Sequence, residues 1–449
     1  MIYKSLCLLV LVSQLKNAFG HELDVNNPES VQNVAQKVAY KMMQFYPGNQ
    51  TNGIPGLFGD PYYWWEAGAA FGALIDYWFY TGDEGYVPCT MEAMLHQVGP
   101  DENYMPPNQS KSLGNDDQAF WALSAMSAAE KKFPDPPADQ PQWLALAQAV
   151  FNTQAARWDE EYCGGGLRWQ IYTFNKGYHY KNTVSNGAFF LLASRLARYT
   201  GNSTYMDWAV RTWDWTSQVG LMTDTYKFYD GYDINDQCTK VDSIQWTYNA
   251  GLYLAGAAFI YNFTNGDPLW EQRVDGIMRM TRIFFINDVM AEMACEPYMT
   301  CNVDQRSFKA YLSRFLALTV KMAPFTAEYI MPKLQASAKA AAQFCSWGDD
   351  QNTCGMRWTE NQWEGLWGVG EQLSALETIQ SNLVLHSREL VTEKVGGTSK
   401  GNPGAGGSGA IIEETRMDIT AKDRGGAAAV TIIAVIGFLV FGWFIGWSD

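Results

Sequence analysis

Two adjacent carboxylates, Asp116 and Asp117, stand in the run Leu113-Gly114-Asn115-Asp116-Asp117-Gln118-Ala119-Phe120-Trp121-Ala122. Acids at a helix start are stabilised by the positive end of the helix dipole, and Gly114 or Asn115 can serve as the cap. An acidic pair here can therefore be a helix opening and nothing more. The residues that follow argue for chemistry, because the helix they open is apolar and turns the pair toward an interior. Two like charges brought together out of water resist ionising together, so one keeps its proton. A protonated acid beside an ionised carboxylate is what cleavage of a glycosidic acetal requires. Neighbouring helical positions diverge by about 100°, yet their carboxyls can approach to about 5 Å, the spacing of a retaining double displacement.

Other polar and aromatic side chains cluster at the starts of apolar helices in the same way. Trp64, Trp65 and Glu66 open one such stretch. Lys181, Asn182 and Asn186 lead into another, and Trp246, Tyr248 and Asn249 open a further one. Trp363 and Glu364 stand at the last. Asp230 and Asp233 lie in the turn-like Tyr229-Asp230-Gly231-Tyr232-Asp233. Each has a plainer reading as cap, turn former or core filler. Aromatic residues make up 14% of the chain, with 18 Trp and 24 Tyr. That supply suits stacking on pyranose C–H faces as well as it suits a large helical core.

The elements that must position these groups recur six times. An apolar, Gly- and Ala-rich helix begins near each of Trp64, Asn115, Ser185, Thr247, Arg306 and Asn361. Stretches such as Ala67-Gly68-Ala69-Ala70-Phe71-Gly72-Ala73-Leu74 are apolar on every side, which marks a helix buried all round. Partner helices over 30–45, 85–97, 142–158, 204–219, 268–286 and 327–344 carry one polar face, as the i, i+3, i+4 spacing of Trp143, Leu144, Ala147, Val150 and Phe151 illustrates. Buried helices alternating with half-exposed ones predict two concentric rings, an all-α (α/α)6 barrel. The long polar, aromatic and Gly-rich segments 163–182 and 222–243 then belong at the mouth, where loops carry function.

Net charge is −15, which argues against nucleic-acid binding. With four His in total and no CxxC pair, no metal and no other cofactor is expected. Residues 1–20 read as a secretory leader ending in Ala18-Phe19-Gly20, so the globular domain is expected over 21–390. A Gly/Ser-rich linker and attachment region follows over 391–426, then an apolar tail over 427–449. Small residues, spacer and apolar tail are the order of a glycolipid (GPI) attachment signal, and the absence of a basic flank after the tail favours this over a transmembrane anchor. The chain is thus expected at the outer face of the plasma membrane and in the wall, with four sequons at Asn49, Asn108, Asn202 and Asn262. Export implies disulfides. Of the seven Cys outside the leader, Cys295 with Cys301 and Cys345 with Cys354 are the expected pairs by proximity, and the odd count leaves one free or paired to another molecule.

Four stretches taken together are similar to glycoside hydrolase family 76, the endo-α-1,6-mannanases, and within it to the fungal Dfg5/Dcw1 cell-wall group. They are Tyr63-Trp64-Trp65-Glu66-Ala67-Gly68, Gly114-Asn115-Asp116-Asp117, Tyr180-Lys181-Asn182-Thr183-Val184-Ser185-Asn186-Gly187 and Thr247-Tyr248-Asn249-Ala250-Gly251. The similarity spans about residues 30–385. It implies an (α/α)6 barrel and a retaining mechanism with Asp116 as nucleophile and Asp117 as general acid/base. It also implies partners: the α-1,6-linked mannose glycans of GPI-anchored proteins, moved onto wall β-glucan. Trp64, Trp65, Glu66, Asn115, Lys181, Asn182, Asn186, Asp230, Trp246, Tyr248, Asn249 and Trp363 are the expected substrate contacts. Plain hydrolysis of mannan and non-catalytic mannan binding in the wall are the competing readings. A terpene-cyclase-like barrel is disfavoured, since Asp116-Asp117 is followed by Gln118-Ala119-Phe120 without a further acid.

Overall fold

A computed structural model describes residues 20–360, 362–406 and Thr431. The expected leader to residue 19, the attachment stretch after 406 and, Thr431 apart, the apolar tail lie outside the described residues. Among the described residues no helix is long and apolar enough to cross a membrane.

Six helices form an inner ring: α2 (Trp64–Thr81), α4 (Asn115–Lys131), α6 (Thr183–Thr200), α8 (Thr247–Phe263), α10 (Phe308–Met322) and α12 (Val369–Gln380). Each packs on the next, and α12 returns to α2, so the ring closes. Outside them lie α1 (Pro28–Met43), α3 (Val87–His96), α5 (Trp143–Ala156), α7 (Ser203–Gln218), α9 (Pro268–Met280) and α11 (Ala327–Gln343). The (α/α)6 barrel expected from the pattern is the observed architecture.

The composition of the inner helices explains how they come so close. In α8 every residue from Thr247 to Ile260 is buried. A Cβ on Gly68 would fall 2.6 Å from the Trp121 indole of the next inner helix, and one on Gly256 would fall 2.4 Å from the Phe190 ring. Small residues on one helix thus receive large rings from its neighbour, which fills the ring's interior at close-packed density. Three of the outer helices, α1, α7 and α9, take their starts from side-chain caps. Asn27 Oδ1 accepts from Glu29 N at 3.0 Å ahead of Pro28, and Asp267 Oδ1 accepts from Leu269 N at 2.9 Å ahead of Pro268.

Toward the C-terminal ends of the inner helices, opposite the mouth, charges are buried in matched sets. Arg195 holds Glu130 at 2.7 Å, Arg314 holds Glu377 at 2.6 Å and Asp76 at 3.3 Å, and Lys131 bonds Asp76. Buried ions survive only when paired in this way.

Three differences from expectation have local causes. The sixth inner helix begins at Val369, not near Asn361, which lies outside the described residues; Trp363 and Glu364 belong to the loop before it, which Gly365 turns at φ +82°. The fifth outer helix stops at Met280, after which a one-turn 3-10 segment and a hairpin of β4 (Phe285–Ile286) and β5 (Val289–Met290) take over. The stretch expected to be flexible from 391 is held to the barrel through Gly406. Val391 N donates to Glu130 O at 2.9 Å, Leu144 N to Ser399 Oγ at 3.0 Å, and Asn152 Nδ2 to Pro403 O at 2.9 Å. Its Gly- and Ser-rich composition gives no warning of these backbone partners.

All helix-to-helix segments that lead into inner helices lie at one end and build the mouth. There β1 (Tyr180–Asn182), β2 (Gly231–Asp233) and β3 (Val241–Asp242) form an antiparallel sheet, with Lys181 opposite Tyr232 and Asn182 opposite Gly231. The disulfides Cys295–Cys301 and Cys345–Cys354 are those expected; Cys163–Cys238, which ties the two long mouth loops together, was not foreseen, and Cys89 is the free thiol.

Candidate active site

Asp116 and Asp117 sit in the first turn of α4 because three neighbouring strands of chain hold that turn. Asn115 N donates to Trp169 O at 2.8 Å, Ile171 N to Leu113 O at 3.3 Å, and Trp169 N to Tyr180 O at 2.6 Å. Asp117 Oδ2 accepts from Gly114 N at 2.7 Å, and Asp116 Oδ1 accepts from Asp117 N at 3.0 Å. Both carboxyls border a cavity of about 250 Å³ at the mouth of the ring.

Gly114 reports how near the two acids are. A Cβ at that position would lie 2.2 Å from Asp116 Oδ1 and 3.2 Å from Asp117 Oδ2. The two oxygens can therefore be no further apart than those distances laid end to end. That upper limit lies short of the roughly 6.5–9.5 Å that leaves room for a water in an inverting site, so the pair is too close for that geometry and suits a retaining one. Burial is the main cause that lifts both proton affinities. Asp116 is pushed well above the carboxylate range, with the Asp117 charge adding to burial; Asp117 is pushed to about 7, its bond from Gly114 N opposing the rise. Near neutral pH the pair holds one proton between them.

The cavity is also lined by aromatic rings and two further acids. Trp65, Phe120, Trp169, Tyr180, Trp246, Tyr248 and Phe308 supply the rings. Tyr248 lies flat on Phe308 with centroids 4.0 Å apart and planes at 12°. Asp230 Oδ2 accepts from Tyr180 Oη at 2.7 Å, and burial raises Asp230 to about 6 against the bonds from Tyr180 and the Trp246 side chain. Asp304 Oδ1 accepts from the Trp65 indole at 3.1 Å and is raised by its own burial. The arrangement can protonate a leaving oxygen, form or shield a cationic carbon, and grip hydroxyls and C–H faces of a neutral ring.

Of the expected contacts, Trp65, Asn182, Asp230, Trp246 and Tyr248 line this cavity together with the acid pair. Asn182 also caps α6, its Oδ1 accepting from Ser185 N at 3.2 Å. The others are not among the lining residues, and most of them are engaged elsewhere. Trp64 turns inward, bonding Gln97 Oε1 at 2.9 Å and stacking on Trp121. Asn115 bonds Arg168 O at 2.8 Å and accepts from Arg157 Nε at 2.9 Å. Lys181 is fully buried, its ammonium held by the carbonyls of Asp159, Tyr162 and Gly165 at 2.6–2.7 Å, so it knots the loop instead of meeting sugar. Asn186 bonds both N–H and C=O of Leu167 at 2.8 and 3.0 Å. Glu66 and Asn249 are fully buried, and their side-chain polar atoms have no hydrogen-bond partner among the described residues. Trp363 stacks on Trp347 at 5.1 Å beside the Cys345–Cys354 hairpin.

Asp304, Trp169, Tyr180 and Phe308 were missed as contacts. Trp169 and Tyr180 lay inside the expected mouth loop, and Asp304 directly precedes the start of the fifth inner helix, the same position that drew attention to other acids. A long disulfide-closed loop before it hid that signal.

Comparison with known proteins agrees with this geometry. The glycosyl hydrolase family 76 model matches residues 30–394. Mannan endo-1,6-alpha-mannosidase DCW1 of Saccharomyces cerevisiae is 50% identical over 93% of each chain. Mannan endo-1,6-alpha-mannosidase DFG5 of the same species is 44% identical over 96% of this chain and 94% of its own. The crystal structure of Dfg5 from Chaetomium thermophilum in complex with glucosamine superposes with a TM-score of 0.83 at 44% identity, covering 88% of this chain and 98% of that one. The α-1,6-mannanase GH76A of Salegentibacter sp. HEL1_6 shares the fold at 18% identity, with a TM-score of 0.63 over 79% of this chain and 99% of its own. The chain belongs to glycosyl hydrolase family 76, in the group of the fungal Dfg5 and Dcw1 proteins, and is a glycoside hydrolase.

Proposed function

We propose that this enzyme cleaves α-1,6-mannosidic bonds in the mannan of GPI-anchored glycoproteins and transfers the released glycosyl group to a wall β-glucan. Asp116 attacks the anomeric carbon while Asp117 gives its proton to the departing oxygen. A glucan hydroxyl then attacks the same carbon, the ester bond to Asp116 breaks, and the hydroxyl proton passes to Asp117. Asp116 is the deeper acid, and burial makes it hold a proton tightly. Positive charge growing on the sugar beside it stabilises its ionised form and moves the shared proton to Asp117.

The observation that carries this reading is the close pair of buried acids in a cavity walled by aromatic rings. The Gly/Ser-rich stretch and apolar tail support membrane attachment, and three disulfides suit an exported chain. Hydrolysis by water is the second reading, favoured by the mannosidase names of the relatives. The purified enzyme, given an α-1,6-manno-oligosaccharide with and without a β-1,3-gluco-oligosaccharide, should yield a joined product in mass spectra, with the α configuration retained by NMR. Release of β-configured sugar, or undiminished turnover by the Asp116→Asn/Asp117→Asn double variant, would overturn the mechanism. Free mannose chains without any joined product would leave hydrolysis as the activity.

A further inference from the structure

The inner helix α8 opens at the cavity without a cap of its own. Its N-cap residue is Trp246, whose side chain makes no capping bond, and a helix start leaves backbone N–H groups in need of acceptors. The acceptor comes from a loop 45 residues further along the chain. Glu292 Oε2 accepts from Thr247 N at 3.2 Å and from Thr247 Oγ1 at 2.6 Å. A carboxyl in this place also meets the positive end of the helix dipole. Thr247 and Glu292 are both fully buried, and Glu292 is not among the residues lining the cavity.

Glu292 is itself held by a buried chain of bonds. Its backbone N–H donates to Glu296 Oε2, and Glu296 Oε1 accepts from Lys309 Nζ at 2.7 Å. Lys309 Nζ also bonds Met356 O and lies 3.5 Å from the centre of the Trp358 ring. Glu296 N returns to Glu292 O at 2.9 Å, and Cys295 N donates to the same oxygen at 3.1 Å beside the Cys295–Cys301 disulfide. Both ends of this chain adjoin cavity rings in sequence. Thr247 stands between Trp246 and Tyr248, and Lys309 follows Phe308. The three rings pack together, Tyr248 flat on Phe308 and Trp246 edge-on to it at 5.5 Å and 88°.

We infer that Glu292 is a positioning residue for glycoside cleavage: it fixes the backbone at Thr247 and so sets the Trp246–Tyr248–Phe308 wall against which the sugar is held. Without its carboxyl, a buried N–H and a buried hydroxyl lose their acceptor, a state that the start of α8 can relieve only by shifting. Trp246 and Tyr248 shift with it, because they flank Thr247 on the same backbone. The inference rests on the mannan reading above for the identity of the sugar.

Glu292→Ala should raise KM for an α-1,6-manno-oligosaccharide by about tenfold, the order expected when well-placed contacts move by a fraction of an ångström. Binding of mannotriose to the inactive Asp116→Asn/Asp117→Asn enzyme, measured by calorimetry, should weaken by the same factor when Glu292→Ala is added. Glu292→Gln keeps an acceptor oxygen in place and should recover most of both losses. Thr247→Val, which removes the hydroxyl donor and leaves the acid, should raise KM less and add little to Glu292→Ala. An unchanged KM with a lowered thermal midpoint would make Glu292 a support of the fold alone and overturn the inference. Loss in Glu292→Gln as severe as in Glu292→Ala, or full additivity with Thr247→Val, would overturn the bond to Thr247 as the route. The mannan reading fails separately, if the inactive parent binds no mannotriose. Amide exchange over residues 247–250 then still tests the cap: Glu292→Ala should speed it, and unchanged exchange overturns the positioning role.

Discussion

The indole of Trp65 donates to Asp304 Oδ1 at 3.1 Å, which fixes a further acid on the wall of the cavity that Asp116 and Asp117 line. The bond joins the start of the first inner helix to the loop before the fifth. It makes the position of the acid a property of the closed ring and not of the loop alone. The negative charge of Asp304 raises the proton affinity of both carboxyls of the pair, as a contributor smaller than burial.

Replacement Asp304→Asn should therefore lower the proton affinity of the pair. The alkaline limb of kcat/KM, where the general acid loses its proton, should move to lower pH in the variant. A full pH profile of both enzymes on an α-1,6-manno-oligosaccharide measures this. A limb that stays in place would show that the charge of Asp304 does not act on the pair.

Gly114 offers a steric test. Its φ of −96° suits any residue, so the constraint is space alone. A methyl group there meets Asp116 Oδ1 at 2.2 Å, Trp169 O at 3.1 Å and Asp117 Oδ2 at 3.2 Å. Gly114→Ala should lower kcat by a factor of about 100 or more, since misplacing a catalytic group by about 1 Å costs this much. The far-UV circular dichroism should be unchanged. Retained activity would show that the acids can relax away without loss.

The barrel was legible because its two rings differ in composition, apolar all round against one-faced, and five of the six inner starts fall within two residues of expectation. The sixth escaped because Trp363 and Glu364 imitate a helix opening on a loop that stays irregular to Gly368. The acid pair was legible from its place before an apolar helix. The backbone partners of Lys181 and Asn186 were not legible, because a polar residue beside a motif looks the same in sequence whether it meets ligand or backbone. Only the fold shows that carbonyls 16–22 residues earlier close around the Lys181 ammonium.

That cage makes a sharp prediction for Lys181. Lys181→Met keeps the length of the side chain and removes the donors, leaving three inward carbonyls unmet at about 1–3 kcal/mol each. The loop from Asp159 to Gly165 should loosen, seen as faster amide exchange there. Activity should fall although Lys181 is not among the residues lining the cavity. A variant with weakened KM and undisturbed loop exchange would instead mark Lys181 as a direct sugar ligand.

At the closed end, Glu130 accepts from Arg195 Nε and Nη2 at 3.1 and 2.7 Å, both side chains almost fully buried. Glu130→Ala leaves a guanidinium without its partner in the core, which costs about 3–5 kcal/mol. The double replacement Glu130→Leu/Arg195→Met removes both charges and should recover much of that. Chemical denaturation midpoints of the three proteins decide it. Equal loss in single and double variants would show that packing, not the stranded charge, is what matters.

Stability should also depend on pH in a direction set by the buried acids. Burial raises Asp117 to about 7, Asp230 to about 6 and Glu292 to about 8, each from the usual carboxylate range that it keeps when unfolded. Between about pH 4 and pH 8 the folded chain therefore binds more protons than the unfolded one. Their stabilising effect is complete below the unfolded values and is lost as pH rises through 6 to 8. Lys181, lowered to about 8 by burial, acts in the opposite sense from about pH 7 upward and so opposes the carboxyls only at the top of that window. The thermal midpoint should accordingly be higher at pH 5 than at pH 8. Asp117→Asn should flatten that slope, because an amide in the same place has no proton to lose. A midpoint that climbs toward pH 8 would mean that these carboxyls are ionised in the folded state, and the shared proton on which the catalytic pair depends would not be there.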